Sequence, residues 1–462
     1  MTSAPAPINP ADYPFLSGCF APIADECDGR ALDVVHGEIP PELNGIYMRN
    51  GGNPRFTPLG GFVYPFEGDA MVHAVELTNG TASYRNRFLR TPALELEEKA
   101  GHAIWASLMS GYQPDPEVVG PDLAYRPNDL PSINIVRHHG RIIALAEQSR
   151  SYRITEDLRT LEAETFGGAF PMGFCAHPKV DPLTGEMVVF QYALWAPFLQ
   201  WAVIDAAGTV VSGPTAVEGV DAAHMVHDFV ITATKVVLVI SPAIFELERL
   251  LRGEGSPLDW RPELGTRIAV IDRSGAEPTR WYDTDAFWTW HFGNGFDDGD
   301  DVVFDGVRWD HLGIDLAGDN GENAGDYARF RLRPGTTQVQ VDTVVDRQME
   351  FPRIDDRQIG RRHSAVAVGS RTGTRDIPVG QFDAILTLDP ETGRTAEYDA
   401  GDLAVGEPCF AGDHLLTFAI DRTDFSSYLL ILRADDVSAG PVATVAIGSR
   451  VPLGLHGAWL PA

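Results

Sequence analysis

VDPLTGEMVV (Val180–Val189), VIDAAGTVV (Val203–Val211), VIDRSGAE (Val270–Glu277) and TLDPETGRTAEY (Thr387–Tyr398) share one local pattern. An apolar run reaches an aspartate, a short spacer follows, and a glycine precedes the next segment. ELTNGTASY, around Asn79, is a looser copy. The Asp or Asn side chain closes the turn onto the backbone and Gly supplies the positive φ, which is the chemistry of antiparallel hairpins. Such hairpins recur at irregular spacing over most of the chain, and this points to an all-β, many-bladed propeller with insertions rather than a sandwich. Expected strands are Arg141–Glu147, Glu186–Tyr192, Lys235–Ser241, Thr266–Asp272, Ala384–Leu388 and Tyr428–Arg433. Helix is expected only in insertions, at Leu94–Ser110 and at Pro242–Arg252, where Ile244, Phe245, Leu247, Leu250 and Leu251 keep a helical spacing. No linker or composition break divides residues 1–462, so one domain is expected.

The composition supports a packed protein. The 462 residues are 44% hydrophobic and 10% aromatic, enough to exclude disorder. Against 36 Lys+Arg stand 65 Asp+Glu, a formal charge of −29. Nucleic-acid binding needs clustered cations and is excluded on that ground. Cys19, Cys27, Cys175 and Cys409 form no CxxC pair, so no disulfide framework is expected. No signal-peptide pattern and no membrane-length apolar run are evident, which reads as a soluble cytoplasmic protein.

The thirteen histidines carry the chemical information. His36, His102, His311, His363 and His414 read as loop or strand-edge residues, and His138 and His139 as part of a hairpin. Four others share a context, each beside an apolar stretch with a small residue or turn former nearby. They are His177 in FCAHPKVDPLTGE, His227 in HMVHDFVIT, His291 in FWTWHFGNGFDDGDD and His456 in PLGLHGAWLP. In a propeller the innermost strands line the axis, where one His from each of four blades can meet. Four imidazoles suit a borderline divalent metal such as Fe, Zn, Cu or Ni.

These contexts, taken in order, resemble the metal-ligand motifs of the carotenoid cleavage oxygenases. The likeness includes FLSGCFAPIADE (Phe15–Glu26) and GEIPPELNGIYMRNGGNPRF (Gly37–Phe56). It continues through FEGDAMVHAVEL (Phe66–Leu77), where Ala70 replaces the family's usual Gly, and on to His177-Pro178, His227-Asp228-Phe229, His291-x-x-Asn294 and Leu455-His456-Gly457. The resemblance implies a seven-bladed propeller, with insertions capping an axial non-haem Fe(2+) held by His177, His227, His291 and His456. It also implies three glutamates behind the ligands: Glu147 in ALAEQ, Glu350 in MEFPRID and Glu407 in GEPCF. A carboxylate accepting Nδ1–H fixes a ligand's tautomer and aims Nε2 at the metal. The pairs are expected with His227, His291 and His456, leaving His177 without a carboxylate.

The implied reaction is O2-dependent cleavage of a C=C bond in a conjugated apolar substrate to two carbonyl products, a carotenoid or apocarotenoid in the first instance. Phe62, Tyr64, Trp105, Trp195, Phe198, Trp201 and Trp288 are candidates for lining its tunnel. Leu194–Val203 and Pro242–Arg252 read as an apolar mouth capable of weak hydrophobic membrane contact, since so acidic a chain is not drawn to anionic lipid. Relatives that cleave phenolic stilbenes activate the phenol with a Tyr and a Lys. Here RPNDLPSINIVRHHG places Asn128 about where that Lys belongs, and RTPALELEE offers only Ala93 and Leu94 for the Tyr. A stilbene or isoeugenol-type oxygenase and a non-catalytic lipid-binding propeller are the alternatives. The run Asp297-Asp298-Gly299-Asp300-Asp301 invites comparison with calcium-dependent lactonase propellers, although a polar hairpin is the better reading of it.

Overall fold

The Asp–Gly turns form as their chemistry requires. Asp205 Oδ1 accepts the amides of Ala207 (2.9 Å) and Thr209 (2.8 Å), and Gly208 takes φ +80°. Asp389 and Gly393 repeat the arrangement. Each turn joins neighbouring antiparallel strands, and among the described residues the strands assemble into seven sheets of four or more, plus one separate two-stranded hairpin. The computed structural model describes residues 4–64, 66–246, 248–249, 257–313 and 325–462.

Blades 2 to 6 are consecutive four-stranded meanders whose first strands are Asn134–His138, Lys179–Val180, Val230–Ile231, Phe292–Asp298 and Met349–Arg353. Blades 1 and 7 mix both ends of the chain. In blade 1, Gly457–Pro461 pairs with Gly45–Arg49, and the sheet continues through Met71–Thr78 and Thr81–Phe88 to Cys27–Ala31. In blade 7, Asp33–Gly37 pairs with Pro441–Ala446 as the outermost strand. The core lies between blades, where apolar faces of adjacent sheets pack together. One cluster joins Ile143, Phe190, Trp201, Phe229 and Leu238 of blades 2 to 4, and others repeat the pattern around the ring. The first strands are left facing the axis, where a cavity of about 410 Å³ runs between them.

The insertions differ from expectation in two places. Helix does form over Pro92–Ala100, capped by Thr91, but Gly101 in the left-handed conformation ends it, and only a 3-10 turn at Leu108–Ser110 completes the expected span. In the Pro242–Arg252 stretch, Ala243–Phe245 is a strand paired with Leu258–Trp260. Leu247, Leu250, Leu251 and Arg252 lie outside the described residues. The expected apolar mouth at Leu194–Val203 is largely a core strand (Leu199–Ile204). Trp201 is buried there, and Trp195 is 69% exposed in the preceding loop. The run Asp297–Asp301 is a hairpin tip whose Asp298 and Asp301 bind Arg331. No helix among the described residues is long and apolar enough to cross a membrane.

Candidate metal centre

The four histidines sit at or just before the first strands of four different blades. His177 precedes Lys179–Val180 of blade 3, His227 precedes Val230–Ile231 of blade 4, His291 abuts Phe292–Asp298 of blade 5, and His456 abuts Gly457–Pro461 of blade 1. All four are buried, and their nearest nitrogens lie within 4.8 Å of one another. His227 Nε2 is 3.2 Å from His177 Nε2 and 3.3 Å from His291 Nε2. A metal bound at about 2.1 Å per nitrogen places neighbouring ligands about 3 Å apart and opposed ones about 4 Å apart, so the spacing fits a metal.

Three of the rings are backed by carboxylates from the three remaining blades. His227 Nδ1 lies 2.6 Å from Glu147 Oε1, His291 Nδ1 2.6 Å from Glu350 Oε2, and His456 Nδ1 2.8 Å from Glu407 Oε1. A donating Nδ1–H leaves Nε2 as a bare lone pair facing the centre. The first pair is bent away from hydrogen-bond geometry, yet both atoms are buried and neither has another partner, so each depends on the other. Against His177 Nδ1 no carboxylate lies among the described residues. Seven blades thus contribute one of these seven residues each.

Backbone detail explains how the glutamates reach inward. Gln148, after Glu147, and Phe351, after Glu350, both hold positive φ (56° and 59°), unusual for residues with a Cβ. The abrupt turn at Phe351 lets its amide bond Glu350 Oε2 at 2.5 Å, while Trp309 Nε1 donates to Oε1 at 3.1 Å. Glu407 Oε2 accepts the Gly457 amide (2.8 Å) and Arg353 Nη1 (2.9 Å).

The electrostatics favour a cation here. Burial, then the neighbouring imidazoles, pushes His177 well below the usual histidine range, and burial holds His456 at about 4. Both rings are therefore neutral donors at physiological pH. Burial works against a charged His227 too, but Glu147 outweighs it and raises that pKa. Burial alone would raise Glu407; Arg353 and His456 overcome it and hold the carboxyl at about 2. Four carboxylates, Glu147, Glu350, Glu407 and Asp228, back the ring, and Lys179 and Arg353 pair with two of them. This carboxylate-rich surround suits a divalent cation. The residues present fit such an ion.

On the side opposite the axial cavity, aromatic side chains cover the ring. Trp290 stands edge-on to His227 at 5.1 Å and to Trp288 at 5.0 Å, and Phe351 packs on His291 and His456. Tyr64 packs against Ile133, Ala146, Ala176 and Leu455, the last three each adjoining Glu147, His177 or His456 in sequence. Of the expected lining residues, Tyr64 and Trp288 therefore belong to this region, whereas Trp201 is interblade core and Trp195 is exposed.

A sequence profile of the retinal pigment epithelial membrane protein family matches residues 20–461. The chain belongs to that family, the carotenoid cleavage oxygenases. This family member is 28% identical to carotenoid 9,10(9',10')-cleavage dioxygenase 1 of Arabidopsis thaliana, over 96% of this chain and 89% of that protein. It is equally 28% identical to isoeugenol monooxygenase of Pseudomonas nitroreducens, over 97% and 98%. The crystal structure of Pseudomonas brassicacearum lignostilbene dioxygenase superposes with a TM-score of 0.88 at 26% identity, covering 100% of both chains.

Several residues around this oxygenase's centre were not singled out in the sequence. Arg353, Trp309, Lys179 and the carboxylate of Asp228 reach the site through contacts between blades, and only Asp228 had a local cue, its place beside His227. His363, expected in a loop or at a strand edge, is 3% exposed; its Nδ1 bonds Asn294 and its Nε2 lies 3.3 Å from Asp305 Oδ1 behind the His291 strand. Its loop folds over the blade rather than into water.

Proposed function

We propose that this family member is a non-haem Fe(2+) dioxygenase that cleaves a C=C bond of a conjugated apolar substrate with O2, giving two carbonyl products. His177, His227, His291 and His456 would hold the metal; Glu147, Glu350 and Glu407 would set the orientation of three of them. The observation that carries the reading is the convergence of four Nε2 atoms with three Nδ1 atoms backed by carboxylates. Fe(2+), when bound, supplies a redox-active centre at which O2 reacts with an electron-rich alkene. The chain's own contributions are a set of four imidazole ligands, a carboxylate-rich surround that retains a divalent ion, and an aromatic cover that excludes water and accepts an apolar chain. The unit is residues 1–462 taken whole, because all seven blades contribute to the ring.

A carotenoid or apocarotenoid is the favoured substrate. Ala93 and Leu94 are buried apolar positions on the Pro92–Ala100 helix and Asn128 cannot act as a base, so this chain offers no agent for deprotonating a phenol at those places. A second reading, a stilbene or phenylpropene, draws on the close fold match to the lignostilbene enzyme. A lipid-binding propeller without a metal leaves the buried carboxylate-rich surround unexplained. Within Leu194–Val203, the large apolar side chain exposed for weak membrane contact is Trp195.

Aerobic incubation of iron-loaded protein with an apocarotenal, 4-hydroxystilbene and isoeugenol in parallel tests the reading by product mass. The expected result is two carbonyl fragments from the apocarotenal whose masses sum to substrate plus O2, with the phenols turned over at least about tenfold more slowly, roughly the 1.4 kcal/mol of a missing base contact. Faster turnover of the stilbene overturns the substrate assignment, and full activity in His227→Ala overturns the iron centre.

A further inference from the structure

His177 is the ligand without a carboxylate, yet its ring must be held as firmly as the others. Its chain continues through Pro178 to Lys179, whose Nζ lies 2.7 Å from Asp228 Oδ1. Asp228 is 3% exposed and directly follows His227. The same Oδ1 accepts the Phe229 amide at 2.7 Å, and Oδ2 accepts the Phe292 amide, one residue past His291, at 2.9 Å. The ammonium also lies 5.9 Å over the Phe229 ring. One buried carboxylate therefore ties the starts of the first strands of blades 3, 4 and 5, each beside a histidine of the ring. The fourth, His456, is tied separately through Glu407 to its own Gly457 amide and to Arg353.

We infer that Lys179 and Asp228 are positioning residues that fix His177 relative to His227 and His291, replacing for His177 the carboxylate that the other three ligands possess. The pair acts through backbone: Lys179 is anchored by its side chain, and the two-residue step back to His177 passes through a proline, which restricts φ. A flexible segment at that point would let the His177 ring rotate away and cost metal affinity. This inference rests on the metal-centre reading, which Co(2+) binding by the unaltered protein tests separately.

Charge and positioning predict opposite outcomes for Lys179→Met. Removing a cation near a divalent ion tightens binding if only electrostatics matter; releasing the anchor loosens binding if positioning matters. With Co(2+) as the probe metal, affinity is measured by chelator competition and geometry by the visible ligand-field bands. Lys179→Met is expected to weaken Co(2+) binding at least about fivefold and to shift those bands in protein that remains folded by circular dichroism, even though the metal-free form melts lower because Asp228 loses its ion-pair partner. Lys179→Arg, which keeps the ion pair, is expected to restore most of both. Asp228→Asn, which also disturbs the Phe292 tie, is expected to weaken binding more than Lys179→Met. Unchanged or tighter binding in Lys179→Met, or unchanged bands in both variants, overturns the inference. If the unaltered protein binds no Co(2+), it is the metal centre that fails.

Discussion

Glu350 serves three donors with two oxygens, as Glu407 also does, and that crowding makes it sensitive to a change of one atom. His291 Nδ1 and the Phe351 amide share Oε2, and the Trp309 indole takes Oε1. In Glu350→Gln the new NH2 must face at least one of these donors, leaving a buried donor without an acceptor. We expect a roughly 10- to 100-fold loss of metal affinity, read by chelator competition, with turnover falling in step when metal is limiting. Trp309→Phe removes one donor and spares the ligand, so a loss below about tenfold is expected. MEFPRID drew attention to Glu350 because a motif preserves the order of residues along the chain. Trp309 lies 41 residues upstream and is brought over by its bridge to Trp288, a pairing that leaves no periodic trace in sequence. The same holds for Arg353 beside Glu407 and for Lys179 beside Asp228: ion pairs between blades are written in three dimensions only.

At the scale of elements, hairpins were legible because their turns carry local chemistry, and the insertions less so because short apolar runs fit both periods. Ala243–Phe245 has helical spacing in sequence, yet a strand partner at Leu258–Trp260 decides the matter. The Pro92–Ala100 helix ends where Gly101 takes φ +76°, and beyond it Glu97 performs the closure: its Oε1 accepts the amides of Ile104 (2.7 Å) and Trp105 (3.1 Å). Burial, then the nearby Asp69, lifts the Glu97 carboxyl from 4.5 to about 7, and burial lifts Asp69 to about 6. A carboxyl with a raised folded pKa binds its proton more tightly when folded. Its stabilisation is thus complete below the unfolded pKa and is lost as pH rises through the folded value. Between about pH 4.5 and 7 this segment should loosen with rising pH, by on the order of 2 kcal/mol for Glu97. Amide exchange at Ile104 and Trp105, corrected for intrinsic rate, should gain at least about tenfold over that window. Glu97→Gln should flatten the dependence; an unchanged slope in that variant would place the titration elsewhere.

At the scale of the whole molecule, the centre and the closure of the ring are one structure. The strand Gly457–Pro461 completes blade 1 against Gly45–Arg49, with Gly457 opposite Arg49, and the residue before that strand is His456. Asn50 fastens the same point: its amide bonds the His456 carbonyl, its carbonyl accepts the Leu455 amide, and its side chain reaches Pro131 and Asn134 of the blade 2 approach. Blade 7 closes in the opposite sense, borrowing Asp33–Gly37 from the front of the chain. A ligand that joins blades 1, 3, 4 and 5 at the axis therefore resists the opening of the ring, which must separate blade 1 from its last strand. Binding to the folded form alone stabilises by about 4 kcal/mol at a free concentration 1,000 times Kd. Co(2+) should accordingly raise the melting temperature of the intact protein and slow amide exchange in Gly45–Arg49 as well as near the histidines. Removing Ala458–Ala462 retains all four histidines yet deletes the closing strand. If closure and centre are coupled, this truncation should lose the metal-dependent rise in melting temperature and expose Gly45–Arg49 to exchange. A truncated protein that binds Co(2+) as tightly as the full chain would mean that the axis is assembled without the ring being shut.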